Sequence, residues 1–288
     1  MDGILLINKD IGISSFGICS KVKKKLGIKK VGHSGTLDPN ASGVMTILVG
    51  EGTKLSKVLV EHNKEYKACL KLGIKTETAD SEGKIIEEQQ YSLSDKIDEI
   101  EACFRSFVGK LKQIPPMYSA IKVDGKKLYE YARSGKEVER KEREVEIFSI
   151  CIDEIRKEDN EIDFTVSCSK GTYIRTLCEQ IAEKLGTVGY MKSLIRTKVN
   201  DYTIEDSMTV EEMDSLTIEE IEKKIISIEE VFKDKEKIDM TEKGIELLKN
   251  GVMLTYKLKD DYYRIYNKNK FIGIGIVKNN LLKRDIIL

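Results

Sequence analysis

Asp38 is the only acidic residue between Asp10 and Glu51, and it sits in an unusual stretch. That stretch reads Gly32-His33-Ser34-Gly35-Thr36-Leu37-Asp38-Pro39-Asn40-Ala41-Ser42-Gly43. A carboxylate can attack or stabilise an electron-poor carbon, or take a proton from one. Pro39 fixes its own φ and pushes Asp38 toward an extended backbone, so the carboxylate stands on a stiffened turn beside His33. The surrounding glycines let a ligand come close to the backbone. The same residues also suit an ordinary turn whose carboxylate accepts local amide hydrogen bonds. Arg175 stands in Lys170-Gly171-Thr172-Tyr173-Ile174-Arg175. It neighbours the apolar face of a helix at its first turn, where an arginine usually snorkels to solvent.

The elements around these residues are read from periodicity. The run Val44 to Val49 has the length of a buried strand, which makes the Asp38 segment an irregular loop feeding it. Ile4 to Ile7 is another short strand, and Ser14 or Ser15 caps a helix through Ile18, Val22 and Leu26. Lys64 to Ile74 alternates with period two, placing Tyr66, Ala68, Leu70, Leu72 and Ile74 on one face. Tyr66 in that stripe is by default a core tyrosine. A helix is expected with Ile97, Ile100, Phe104 and Val108 at helical spacing. Residues 112–143 carry prolines, tyrosines and basic residues and read as a projecting arm, although Tyr129 and Tyr131 equally suit a short packed helix. Val145–Ile155 and Ile162–Cys168 are strands. Ile174, Leu177, Cys178, Ile181, Ala182 and Leu185 then mark a helix.

The 288 residues suit one large domain and a small one, with boundaries near 1–230 and 236–288. Net charge is zero, yet residues 205–230 hold ten acids against two lysines and read as an acidic helical connector. The tail from 231 is net basic, and six lysines crowd positions 21–30, so the local field favours phosphate in places. The tail reads as a helix over 241–250 followed by short strands. Gly273 and Gly275 mark a bulge or a close backbone approach. Six scattered cysteines with no C-x-x-C pair read as reduced thiols of a cytoplasmic protein. Two histidines make a zinc site improbable, and no phosphate-cradling glycine motif is present, so neither metal nor cofactor is expected. No apolar run approaches a membrane span.

The order Gly32-His33-Ser34-Gly35-Thr36-Leu37-Asp38-Pro39, Ala41-Ser42-Gly43 and Leu48-Val49-Gly50 resembles the signature of the TruB family of tRNA pseudouridine synthases. Lys64-Glu65-Tyr66-Lys67-Ala68, the arm, and Lys170-Gly171-Thr172-Tyr173-Ile174-Arg175 are similar to further family segments. The resemblance implies an α+β fold, with a mixed, largely antiparallel central sheet, flanking helices and a C-terminal PUA-like β domain. It implies isomerisation of the T-loop uridine at tRNA position 55, with Asp38 catalytic, Arg175 its partner and Tyr66 stacking on the target base. Leu194 aligns with a leucine of the base pocket, and as readily with a core leucine. His33, Lys9 and Tyr173 are expected to contact substrate, with His33 filling the gap the flipped base leaves. The family usually has proline after this lysine, where the chain has Asp10. The implied partner is the tRNA T stem-loop, bound by a monomer. The alternatives are a non-catalytic tRNA-binding or RNA-folding protein on the same scaffold, and a glycoside hydrolase using Asp38, for which the sequence offers no convincing second carboxylate.

Overall fold

The computed structural model describes residues 1–94 and 96–288. Gly3–Lys9 (β1) is apolar almost throughout and buried along its length, as a strand covered on both faces must be. Ser14 Oγ accepts from the Gly17 N–H at 3.0 Å and opens helix Ser15–Leu26 (α1). Gly27, at φ 65°, closes it. Val31–His33 (β2) pairs antiparallel with Ser42–Val49 (β3), so His33 ends a short strand instead of lying in the loop. β3 also pairs with β1. A single turn, Ser56–Leu59 (α2), leads to Lys64–Leu72 (β4).

The strand expected to reach Ile74 stops earlier, because Gly73 takes φ 84° and turns the chain. Ile74–Thr76 (β5) then leaves the sheet and pairs with Ile85–Glu88 (β6). The next helix is Ile97–Arg105 (α3), and Val108 lies beyond it. Gly109, at φ 110°, starts Gly109–Gln113 (β7) there, leaving Ile97 and Val108 exposed while Ile100 and Phe104 enter the core. Residues 114–142 lie outside the central sheet. They hold the hairpin Lys122–Val123 (β8) and Lys126–Lys127 (β9), then helix Leu128–Arg133 (α4). Tyr129 and Tyr131 are half-buried here, and the Tyr131 hydroxyl donates to the Val123 carbonyl at 3.3 Å. Arg143–Arg156 (β10), Glu161–Cys168 (β11), helix Ile174–Lys184 (α5) and Gly189–Val199 (β12) follow.

The strands assemble in the order β7-β10-β11-β4-β12-β3-β1. Every pair in this run is antiparallel except β12 with β3, which makes the sheet mixed but largely antiparallel. Helices α1, α3 and α5 cover one face through Ile18, Val22, Phe104, Leu177 and Ile181. The acidic stretch is more than a connector. Tyr202–Thr203 (β13) pairs with β12, Met208–Thr209 (β14) runs parallel to β1, and Ile226–Ser227 (β15) pairs antiparallel with β1. β14 and β15 satisfy the otherwise open edge of β1. Helices Val210–Ser215 (α6), Ile218–Glu222 (α7) and Ile228–Val231 (α8) lie between and after them, each opened by a Thr or Ser cap.

A second sheet forms from Lys237–Asp239 (β16), Leu254–Thr255 (β17), Asp261–Asn267 (β18), Lys270–Lys278 (β19) and Leu281–Ile287 (β20). Its order is β16-β18-β19-β20-β17, and helix Glu242–Lys249 (α9) packs beside it, giving the PUA-like module. The parallel strand β16 carries no periodic signal in sequence. At Gly273 a Cβ would stand 2.1 Å from the Ile286 carbonyl oxygen, so close approach explains that glycine. Ile274 and Ile286 reach across to Ile4, Leu48 and Leu59 on the uncovered face of the first sheet. No helix among the described residues is long and apolar enough to cross a membrane.

Candidate active site

β12 organises the site because it lies between β3 and β4. Arg196 pairs with Gly43 on one side and with Tyr66 on the other. The Asp38 loop runs into β3, Tyr66 sits on β4, and α5 starts just after β11, the other neighbour of β4. A cleft of about 610 Å³ opens where these elements meet. Asp38, Tyr66, Tyr173, Arg175 and Leu194 all line it.

Arg175 does not snorkel. Its side chain is 4% exposed, and Nη2 stands 3.0 Å from Asp38 Oδ2 while Nη1 stands 3.6 Å from Asp80 Oδ2. Nη1 also donates to the Thr78 carbonyl at 3.2 Å and Nη2 to the Tyr118 carbonyl at 2.7 Å. The guanidinium therefore ties together the Asp38 loop, the turn after β5 and the arm. The α5 N-terminus is fixed by Gln113 of β7, which accepts from the Tyr173 N–H at 2.9 Å and donates to the Tyr173 carbonyl at 3.2 Å. Burial raises the Asp38 carboxyl above its ordinary range; Arg175 opposes the rise, Asp80 adds to it and Lys9 opposes it. A carboxylate so placed is a stronger base than a free aspartate, held in one orientation by a charge-assisted bond.

The loop beneath Asp38 is held by side chains that sequence reasoning did not single out. Arg196 is buried, and its guanidinium donates to the carbonyls of Val44 at 2.8 Å, Gly35 at 3.3 Å and Thr36 at 3.5 Å. The Ser15 hydroxyl accepts from the Leu37 N–H at 2.8 Å and lies 2.9 Å from its carbonyl as donor. Gly43 has φ 112°, and a Cβ there would stand 2.2 Å from the Arg196 carbonyl oxygen. The parallel pairing of β3 with β12 thus requires glycine at this point. Asp80 anchors its own turn, accepting from the Thr78 hydroxyl and from the Glu82 N–H at 3.1 Å. In sequence this carboxylate is marked only by its loop, Thr76 to Gly83, which resembles a further family segment that by itself names no role.

Two expected substrate contacts lie elsewhere. Lys9 is wholly buried, with Nζ donating to the carbonyls of Asp10 at 2.9 Å, Ile13 at 2.8 Å and Pro39 at 3.2 Å. All three ammonium donors are spent under the loop, so Lys9 supports it and has no free donor for a phosphate. Asp10, in the place of the family's proline, is exposed and supplies one of those carbonyls. His33 is outside the cleft lining, at the end of β2; burial and then Arg196 hold its imidazole below the ordinary value. Tyr66 is 8% exposed, and burial pushes its phenol up to about 12, so it meets a ligand as a neutral ring. Leu194, also 8% exposed, is both a core residue and part of the cleft wall. No cluster of three or more His, Cys, Asp or Glu suited to a metal occurs among the described residues.

A carboxylate–guanidinium pair thus lies in an open cleft at the middle of a mixed sheet, with a small β module appended. The chain belongs to the TruB family: residues 23–174 match "TruB family pseudouridylate synthase (N terminal domain)" and residues 175–238 match "tRNA pseudouridylate synthase B C-terminal domain". It is therefore an isomerase. It is 44% identical to tRNA pseudouridine synthase B of Alkaliphilus oremlandii (strain OhILAs), over 97% of this chain and 94% of that protein. The protein of the same name from Clostridium kluyveri is 44% identical over 97% and 96%. Among solved structures, a chain in the archaeal box H/ACA sRNP Nop10-Cbf5 complex superposes with a TM-score of 0.70. It shares 22% identity, with 99% of this chain and 85% of that one covered, and so shares the fold.

Proposed function

We propose that the protein isomerises the T-loop uridine of tRNA, position 55, to pseudouridine, with Asp38 as the reacting carboxylate. The observation that carries the reading is the 3.0 Å pairing of Arg175 with Asp38 inside a cleft walled by Tyr66 and Leu194. The names of the relatives supply tRNA as the substrate, and the T-loop position rests on the family resemblance of the motifs. The uridine leaves its stack, at a cost of roughly a few kcal/mol. Stacking on the Tyr66 ring returns on the order of 1–3 kcal/mol. The N1–C1′ bond then breaks, the base turns, and C5 joins C1′. The proton lost from C5 is balanced by one gained at N1, so no oxidant or group donor is consumed. Asp38 either attacks the ribose or removes a sugar proton, and Arg175 holds it in place for both routes. Six free cysteines support a cytoplasmic setting.

The test is to incubate the pure protein with an unmodified tRNA transcript and map pseudouridine by position. Stoichiometric conversion at position 55 is expected. Conversion at another position would overturn the T-loop assignment, and absence of any conversion would overturn the reading.

A further inference from the structure

Phe16 and Ile11 are the two most exposed large apolar side chains among the described residues, at 76% and 67%. Both sit on the segment that grips the Asp38 loop. The Gly12 N–H donates to the Pro39 carbonyl at 2.8 Å, and Ser15 is bonded to Leu37 on both sides. Phe16 is therefore flanked on one side by a residue that positions the Asp38 loop, while its own ring stands in solvent.

The rest of the helix explains what such a ring could meet. Phe16, Ser20, Lys23 and Lys24 recur at helical spacing and form one exposed stripe, while Ile18, Cys19, Val22 and Leu26 are buried behind it. No acid occurs from Ile11 to Leu37, a span with six lysines. Lys25 donates to the Asp214 carbonyl and Lys30 pairs with Glu51, both away from the stripe. Lys23 and Lys24 make no ion pair among the described residues. An aromatic face in a stripe of unpaired ammonium groups complements a polyanion that carries stackable bases. A protein partner would meet the ring but would have to answer the uncompensated lysines.

We infer that the outer stripe of α1 is a second RNA-binding surface, in which Phe16 stacks on an unpaired base of the substrate while Lys23 and Lys24 meet its backbone phosphates. The inference rests on the proposed RNA substrate but concerns a surface outside the cleft. It makes Phe16 a source of affinity for RNA beside the cleft, with no contact to the reacting base.

The experiment measures tRNA affinity and pseudouridine formation for the full chain and its variants. Phe16→Ala should weaken tRNA binding about 10-fold, in the range expected when one stacked base loses its aromatic platform. Phe16→Trp should bind as wild type, and Phe16→Leu should be as weak as Phe16→Ala, because leucine keeps apolar area without a π-face. Thermal midpoints should agree, since the ring packs on nothing. The single-turnover rate at saturating enzyme should be unchanged, which separates this surface from the cleft. Replacing Lys23 and Lys24 by Gln should flatten the dependence of log affinity on log salt by roughly 0.7–0.9 for each phosphate that is no longer neutralised. An affinity for Phe16→Ala within twofold of wild type overturns the inference. So does rescue by leucine, which would show that apolar area and not stacking supplies the affinity. If wild type binds tRNA and Phe16→Ala does not, yet neither makes pseudouridine, the proposed reaction fails while this surface stands.

Discussion

At the scale of single residues, the reading turns on whether Asp38 is a base or a turn former. Asp38→Asn keeps size and most hydrogen bonding but loses the charge. If Asp38 reacts, the single-turnover rate should fall by at least about a thousandfold, within the order of loss seen when a group acting in the transition state is removed. Affinity for tRNA should hold, because phosphate contacts and stacking supply it. A mere turn former would tolerate asparagine. Arg175→Lys should do less damage than Asp38→Asn, since lysine keeps the charge but lacks the planar fork. The pH profile gives a second test. Asp38 must be ionised to act, and its pKa is raised above the ordinary 3.8, so activity should be present above the raised value and lost as pH falls through it. Arg175→Gln removes the group that opposes the rise, so the acid limb should move to higher pH. Asp80→Asn removes a like charge, so the limb should move to lower pH. Rate–pH curves that fail to move in opposite directions would assign the limb to another group.

At the scale of elements, the Asp38 loop is a scaffold of backbone carbonyls held from below by buried cations. Lys9 and Arg196 are charged, yet they spend their donors on six carbonyls of the loop and its neighbours. Burial lowers the Lys9 ammonium to about 8, against the opposing pull of Asp10 and Asp38. Lys9→Met should leave three carbonyls without that donor and cost about 2–4 kcal/mol in chemical denaturation, given roughly 1–3 kcal/mol per stranded buried group and partial relaxation. Catalysis should drop with Asp38 still present, while tRNA affinity and its salt dependence stay near wild type. A lysine that bound phosphate would give the reverse: intact stability, weaker binding and a flatter salt slope. Equilibrium unfolding beside a salt titration separates the two.

At the scale of the whole molecule, the two sheets are not beads on a string. Ile274 and Ile286 of the second sheet cover Ile4, Leu48 and Leu59 of the first. Lys57 pairs with Asp285, and the Tyr266 hydroxyl donates to Glu229, across the same boundary. Removing residues 236–288 would therefore expose part of the catalytic domain's core, and a change in tRNA binding by such a truncation would have two causes. Ile286→Ala should cost about 2–5 kcal/mol, as for other buried isoleucines. It should also speed hydrogen exchange in β1 and β3, which hold Ile4 and Leu48. If exchange accelerates only in β18 to β20, the modules are energetically separate and this packing counts for little.

What the sequence determined by itself is what local periodicity and fixed-order motifs can carry. β1, β3, β10, β11, α1 with its serine cap, and α5 follow from the spacing of apolar residues. Asp38 was visible as a lone acid on a stiffened turn that suits a turn former as well, and its pairing with Arg175 was implied only by the resemblance of the two motifs. The end of β4 was misread because alternation continued past Gly73, and only the φ of that glycine breaks the strand. Tertiary structure alone decided that β12 lies between β3 and β4, and the site exists because of that order. It also decided the fate of the charged groups. A lysine or arginine has the same chemical formula whether its donors face water or carbonyls, and a helical arginine such as Arg175 snorkels by default. Lys9, Arg175 and Arg196 are buried because distant segments fold over them and present carbonyls and carboxylates that no neighbour in sequence could provide. Non-local pairing turns ordinary surface residues into the frame around the Asp38 carboxylate.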